Sequence, residues 1–272
     1  MNVKGNRAAT SDIDLETRPN RNSGGTPCYV AFSGGVDSTA LALMHPTSLP
    51  IFTDTGWEFT ALYEHIEKFE RVTGRPVIRI TAGETLPEAI RRQKFFPNHA
   101  ARWCTRTMKI EPMNRFLRER LPCELWIGLR ADEPERTGNT TELGGLTIRY
   151  PMREMGMNRH DAVKICVEND LLPRYPVYMA RGGCIGCFYK RPAEVKAMIH
   201  LVPDVIEELV QLEADVQDER SKHFRMFANC KTGLAEMRRD ETTGKLFDVA
   251  DVWAAAAERD DVGEACGLFC HR

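Results

Sequence analysis

The stretch best suited to chemistry is a short run of glycines, hydroxyls and one carboxylate, Ser33-Gly34-Gly35-Val36-Asp37-Ser38-Thr39. It follows the apolar residues 28–32 and leads into the helix-forming residues 38–44. Glycines let the backbone approach an anion closely, and the start of a helix is electropositive. The pattern therefore predicts a site for phosphate oxygens, in which Asp37 would need a bridging divalent cation such as Mg²⁺. A Ser/Gly turn that only caps the helix is the alternative.

The cysteines form the second group of reactive residues. The chain has nine, and in a reducing compartment such a number points to metal binding, redox chemistry or catalysis before disulfides. Cys184 and Cys187 form a CxxC between glycines, a spacing that suits an iron–sulfur cluster, a zinc ion or a redox pair. Two small buried residues are the alternative. The patterns around Cys28, Cys123 and Cys166 favour packing roles.

The elements that must position these residues alternate between strand and helix. Apolar runs predict strands at 28–32, 49–53, 77–80 and 124–129. Helices are expected at 38–44, at 62–72 before Gly74, at 86–92, from Pro112, from Asn158 and Asp161 to Asn169, and within 203–227. This order predicts an α/β fold with a doubly wound parallel sheet, whose ligand lies beyond the carboxyl ends of the strands.

Composition sets the broad class. The chain has 272 residues, 42% of them apolar and 28% charged, with a net charge of −2, which is typical of globular proteins. Bulk charge gives no sign of a nucleic-acid or membrane partner. No hydrophobic leader or bilayer-length apolar run is present in this sequence, so we expect a cytoplasmic protein. We expect a flexible tail over 1–26, an α/β domain over 27–202 carrying the CxxC, and a helical region over 203–272 with a cysteine-bearing tail.

Four motifs together resemble the sulfonucleotide (PAPS/APS) reductase family of the PP-loop ATP-pyrophosphatase superfamily. SGGxDS is similar to the pyrophosphate loop, and residues 51–56 with Glu58 to the family's DTG-E segment. Residues 102–112 and 128–136 resemble its Arg-Cys-Lys-Pro and G-x-R-x-x-E-x-x-R segments. The resemblance implies a Rossmann-like, adenine nucleotide alpha hydrolase-like sheet. It also implies that the loop and Asp54, Thr55 and Gly56 bind an adenine nucleotide, and that Lys109, Arg130 and Arg136 act on its phosphate or sulfate.

The cysteine pattern resembles the 4Fe-4S class of these reductases. That resemblance implies Cys104, Cys184 and Cys187 as cluster ligands, and Trp103 stands where the reductases carry a further cysteine. The tail, residues 264–271, is similar to the family's E-C-G-L-H ending, so Cys266 matches the nucleophile and Cys270 is a candidate fourth ligand. The reverse assignment, or an open iron that neither cysteine coordinates, stays possible.

Two activities suit such a site. The first is reduction of adenylyl sulfate or PAPS, in which a cysteine takes the sulfonyl group and thioredoxin regenerates the enzyme. The second is an ATP-pyrophosphatase that adenylates a nucleic acid or small molecule for iron–sulfur-dependent sulfur transfer. The intact loop with Asp37 favours the second, and the long reductase-like stretch and tail favour the first. A non-catalytic nucleotide sensor or a zinc-stabilised binding module is a third possibility.

Overall fold

The computed structural model describes residues 25–136, 143–176, 178–179, 182–216, 225–227, 230 and 232–244. Its centre is a sheet of five strands in the order β3-β2-β1-β4-β5. All paired strands are parallel; their ranges are β1 Cys28–Ala31, β2 Leu49–Asp54, β3 Ile78–Thr81, β4 Cys123–Trp126 and β5 Leu146–Arg149. The chain winds outward from β1 to β3 and then returns to the other side of β1 with β4. Ligands of such sheets bind at this reversal, beyond the carboxyl ends of β1 and β4.

Helices connect and cover the strands. In chain order they are α1 Val36–Met44, α2 Thr60–Thr73, α3 Leu86–Gln93, α4 Trp103–Thr105, a π-turn over Arg106–Ile110, α5 Glu111–Arg118, α6 Pro151–Glu154, α7 Arg159–Glu168, α8 Pro192–Leu201, α9 Pro203–Val216 and α10 Leu234–Gly244. None of the helices that the structure describes combines the length and hydropathy needed to span a bilayer.

Both faces of the sheet are covered. On one face, α1, α2 and α7 bury a cluster that includes Phe32, Phe69 and Cys166. On the other face, Met113 and Leu117 of α5 pack against β1, β2 and β4. The predicted doubly wound α/β fold is therefore confirmed. A third cluster joins α3, α8 and α9, and the half-buried Cys104 and Cys187 pack against it.

Local signals place most element ends where the sequence predicts them. Asn158 caps α7 and exchanges a capping box with Asp161, which satisfies the helix's first free N–H groups. Gly74 ends α2 in the left-handed conformation at φ 65°, which suits glycine. Val72, an apolar residue near the end of this helix, is 49% exposed.

Helices α6 and α8 are not among the predicted elements, and two further elements differ from the expectation. Strand β5 was not predicted, because it is an edge strand of four residues whose side chains alternate between half-buried and exposed. The helix expected from Pro112 begins earlier, at Trp103, and contains the π-turn. Proline has no N–H to bond the carbonyl four residues back, and the i→i+5 bond from Glu111 N–H to the Arg106 carbonyl lets the helix continue into it.

Candidate functional site

The predicted phosphate loop connects β1 to α1 and has a defined shape. Gly34 has φ 73°, and a Cβ at this position would lie 2.5 Å from Cδ1 of Leu62, so a larger residue does not fit without rearrangement. The Ser33 and Ser38 hydroxyls are 3.1 Å apart, and Ser38 Oγ accepts from the Ser33 N–H at 3.1 Å. These bonds close the loop around its own hydroxyls.

The N-terminus of α1 forms the electropositive part of the phosphate loop. Gly35 is the N-cap residue, and no side chain caps the helix there. The first N–H groups of a helix need partners from outside it, and an anion suits them electrostatically. Gly128, just past β4, packs against this turn: its Cβ would lie 3.2 Å from the Asp37 carbonyl. The sheet reversal and the helix start therefore coincide.

Thr39 lies inside the protein. Its side chain is fully buried, and its hydroxyl is 3.0 Å from Nε2 of His65 in α2. Burial lowers the pKa of His65 to about 4, so the imidazole is neutral at pH 7. Sequence reasoning placed Thr39 at the nucleotide and gave His65 no role, whereas the structure pairs the two beneath the loop.

Asp37 has a protein partner. Its Oδ2 accepts a 2.6 Å hydrogen bond from Nη1 of Arg130, which also pairs with Asp132 at 2.9 Å and Glu133 at 3.3 Å. Arg136 pairs with Glu133 at 2.8 Å. Both guanidinium groups, predicted to hold a phosphate or sulfate, are thus buried among carboxylates. Asp37 Oδ1 is buried and has no hydrogen-bond partner among the described residues.

The residues after β2 form a tight turn. Asp54 Oδ1 accepts from the Gly56 N–H at 2.7 Å and from the Tyr63 hydroxyl at 2.8 Å. Gly56 has φ 66°, and its Cβ would lie 2.7 Å from Cγ2 of Thr85. Thr55 is buried and donates to Glu58 at 2.9 Å. These residues, predicted to border a nucleotide, bring the end of β2 towards the CxxC segment.

A small cavity of about 20 Å³ gathers the three described cysteines that were predicted as metal ligands. A space of this size holds about one water molecule. Its lining comes from segments far apart in sequence: Thr55, Leu86, Pro97, Cys104, Thr105, Lys109, Cys184, Gly186, Cys187 and Phe188. The fourth predicted ligand, Cys270, and the predicted nucleophile, Cys266, lie outside the described residues.

The CxxC segment reaches this cavity by pairing with the turn after β2. Glu58 and Cys184 form an antiparallel bridge, and the Ile185 N–H donates to the Trp57 carbonyl at 2.8 Å. The Thr55 hydroxyl is 3.5 Å from the Cys184 sulfur. Burial is the main cause of two raised pKa values here. It raises the pKa of the Glu58 carboxyl, and it raises the pKa of the Cys184 thiol well above its ordinary value. Lys109 opposes both shifts.

The π-turn explains how Cys104 and Lys109 line one cavity. Side chains five residues apart point about 140° away from each other on an α-helix. The wider i→i+5 turn reduces that angle and brings positions 104 and 109 to nearly the same side. Thr105 also lines the cavity, is 7% exposed, and its hydroxyl has no hydrogen-bond partner among the described residues.

Three thiols suit a soft metal or an iron–sulfur cluster by their chemistry. Within the part of the chain that the structure describes, however, no three His, Cys, Asp or Glu side chains are gathered into a ready metal site. The three thiols are therefore suited to a cluster by their chemistry, whereas their described arrangement does not form a metal site.

Tyr175 joins the phosphate loop to the cysteine segment. Its hydroxyl donates to the Gly34 carbonyl at 2.6 Å, and a Cβ on Gly182 would lie 2.7 Å from the same hydroxyl oxygen. Sequence reasoning missed this residue, because a lone tyrosine in an irregular segment carries no recognisable pattern.

Comparison with known proteins agrees with this arrangement. Residues 27–143, which contain the phosphate loop, Cys104 and both arginines, match the family model of the phosphoadenosine phosphosulfate reductase domain. The matched residues end before β5 and before the CxxC.

Individual relatives match over limited spans. An uncharacterized protein of Methanocaldococcus jannaschii is 32% identical over 114 residues, which are 39% of this chain and 23% of that protein. The chain therefore matches about a quarter of this relative's length. The crystal structure of phosphoadenylyl-sulfate reductase from Candida auris, a phosphate complex, is 17% identical with a TM-score of 0.42, over 57% of this chain and 75% of that one.

Proposed function

We propose that this protein binds an adenine nucleotide on the loop at residues 33–38 and performs sulfur chemistry beside the nucleotide's α-phosphate, as a reductase of adenylyl sulfate or PAPS. One observation carries the proposal: Tyr175 contacts both the phosphate loop, at Gly34, and the segment that begins at Gly182 and carries two of the three cysteines lining the cavity. The helix start supplies backbone N–H groups for phosphate oxygens. Lys109 supplies a positive charge at the cavity.

The proposed step is displacement at the sulfonyl sulfur. A cysteine thiolate, Cys266 by its likeness to the family's tail, forms a bond to the sulfur while the bond from that sulfur to the phosphate oxygen breaks. AMP, or its 3′-phosphorylated form, leaves with the electron pair of that bond. A dithiol protein such as thioredoxin then reduces the enzyme's S-sulfocysteine, which releases sulfite and leaves a disulfide on the reductant.

Cys104, Cys184 and Cys187 are the residues that would hold a 4Fe-4S cluster, with Cys270 as the proposed fourth ligand. When bound, a cluster would supply a redox-capable group close to the sulfur chemistry. The chain's own contribution there is to exclude water, because the cavity is small and Thr55, Thr105 and Cys184 are buried.

ATP-dependent sulfur transfer is the second candidate, and Asp37 favours it. A magnesium pyrophosphate complex needs a carboxylate oxygen near the loop. Arg130 occupies one oxygen of Asp37, and the other has no described hydrogen-bond partner. In this form of the reaction an acceptor oxygen attacks the α-phosphate and pyrophosphate leaves. A sulfide-level sulfur nucleophile then bonds to the acceptor carbon, and AMP leaves with the oxygen and the electron pair of the broken bond.

The deciding experiment offers ATP and adenylyl sulfate separately, each with reduced thioredoxin, to anaerobically purified protein and measures AMP with pyrophosphate and with sulfite. Sulfite and AMP from adenylyl sulfate, lost in Cys266→Ser, are expected for the reductase. AMP and pyrophosphate from ATP alone would overturn it in favour of sulfur transfer. If neither nucleotide binds to the wild type, both candidates fail.

A further inference from the structure

Charge is distributed very unevenly along this chain. Residues 91–120 contain nine Lys and Arg residues and two Glu residues, whereas the whole chain has a net charge of −2. Bulk composition hides this local excess. The segment includes the end of α3, the loop to α4 and the whole helical run 103–118, which we call the basic helix.

Some of these cations are neutralised within the fold. Arg91 pairs with Asp215 of α9 at 2.8 Å, and Arg92 pairs with Glu84 at 2.6 Å. Arg106, Arg115 and Arg118 of the basic helix are exposed, whereas Met113 and Leu117 of the same helix are buried against the sheet. Arg106 is 71% exposed and lies 3.5 Å from Glu111, a weak surface pair.

An aromatic corner, His99, Phe188 and Tyr189, lies at the start of this helix. The His99 ring is exposed and lies 5.2 Å from the Phe188 ring and 4.8 Å from the Tyr189 ring. The Arg102 guanidinium lies 5.5 Å from the Tyr189 ring centroid. Asn98 Oδ1 accepts from the N–H groups of Ala100 and Ala101, both at 2.9 Å, which orders the loop that presents His99.

The aromatic corner borders the cysteine cavity. Phe188 and Pro97 line that cavity, and Phe188 contacts both other rings of the corner. A planar ring that stacks on His99 would therefore lie at the rim of the space lined by Cys104 and Cys187. Aromatic rings beside a row of arginines are the two features by which proteins hold single-stranded nucleic acid.

We propose that this surface binds single-stranded nucleic acid, with one base on the aromatic corner and the sugar–phosphate backbone along Arg106, Arg115 and Arg118. Phosphate contacts of this kind do not depend on sequence and weaken steeply with salt. The inference goes beyond the proposed function, since binding of a strand is independent of the reaction at the nucleotide. Under sulfur transfer it would identify the acceptor.

The test uses the full chain and fluorescein-labelled 12-residue RNA and DNA strands of mixed sequence, followed by fluorescence anisotropy from 50 to 200 mM salt. We expect saturable binding by the wild type. Arg115→Glu with Arg118→Glu is expected to weaken binding at least tenfold and to lower the slope of log affinity against log salt by about two. His99→Ala is expected to weaken binding roughly tenfold through loss of stacking.

The matched control reverses two exposed cations on the other face of the sheet, Arg71→Glu with Lys164→Glu, and should leave strand binding within twofold. Equal losses in both charge-reversal variants, or no strand binding at 50 mM salt, would overturn the inference. The inference would also be overturned if polyglutamate displaced strands equally well from the wild type and from His99→Ala, because that result indicates a surface for acidic proteins. RNA and DNA arms identify which strand is preferred.

The outcome is separable from the proposed function. The Arg115→Glu, Arg118→Glu variant should still bind adenine nucleotide, because neither arginine lies near the phosphate loop. A wild type that binds strands and no nucleotide would refute the proposed function and leave this surface standing.

Discussion

Arg130 sets the electrostatics of the phosphate loop, because one guanidinium serves the carboxylates of Asp37, Asp132 and Glu133. Arg130 is only 5% exposed, so its removal leaves buried charge uncompensated. Arg130→Met is expected to lower the free energy of unfolding by about 3 to 5 kcal/mol, measured by urea denaturation. Arg149→Met breaks an exposed ion pair with Glu154 and should lower the free energy of unfolding by about 1 kcal/mol or less. Equal effects would contradict this assignment.

His65 makes stability depend on pH. Its pKa is lowered by burial to about 4, against an ordinary 6.5, so between these values the unfolded chain binds a proton that the folded chain does not. Acidification through this window therefore weakens the fold. His65→Gln keeps an amide for the Thr39 hydroxyl and cannot titrate. We expect the wild type to lose about 2 kcal/mol more than this variant between pH 7 and pH 5.

The measurement is urea denaturation at each pH, and the difference between the two proteins isolates His65 from the buried acids. Glu58 and Glu213 have raised pKa values and act in the opposite direction, but they are common to both proteins. Exposed His160→Gln is the control and should follow the wild type. Parallel curves for the wild type and His65→Gln would show that His65 does not carry the effect.

Among the elements, the segment from Tyr175 to Arg191 has no regular secondary structure in its described residues, yet it links the two halves of the site. Tyr175→Phe removes one hydrogen bond to the Gly34 carbonyl and leaves the ring in place. Adenine nucleotide affinity should fall about two- to tenfold, measured by titration calorimetry. Tyr178→Phe is the matched control, because no described hydrogen bond involves its hydroxyl. If both variants bind equally well, the tether does not shape the loop.

The elements also show what sequence could predict. Strands β1 to β4 and helix α7 follow from apolar runs and a capping pair, which are local signals. The π-turn does not follow from local signals, because it depends on how a proline is accommodated within a longer helix. Strand β5 does not follow from them either, because it is a half-exposed edge strand. The resemblance of Cys104 and the CxxC to one family's cysteine pattern predicted from the sequence alone that these cysteines share a site. The contacts of Tyr175, His65 and Arg130 depend on tertiary packing between segments that no local pattern connects.

At the scale of the whole molecule, the cysteines that the structure describes fall into two environments, buried packing positions and the cavity. Cys28, Cys123, Cys166 and Cys230 are buried and distributed among the three clusters, whereas Cys104 and Cys187 are half-buried at one cavity. Burial raises the pKa of Cys123 and Cys230 to about 11 and that of Cys166 to about 12. Thiolate, the reactive form, is therefore scarce in these packing positions near neutral pH.

This division predicts the order in which thiols react across the folded protein. In anaerobic, metal-free protein at pH 8, iodoacetamide should modify Cys104 and Cys187 first, and Cys123 and Cys166 only on unfolding, as followed by peptide mass mapping. Cys184 should be slow, because it is buried and its thiol pKa is raised. After reconstitution with iron and sulfide, a cluster would protect Cys104 and Cys187 together, while Cys123 would react as before. Unchanged rates at Cys104 and Cys187 would exclude them as ligands, whatever iron the protein binds.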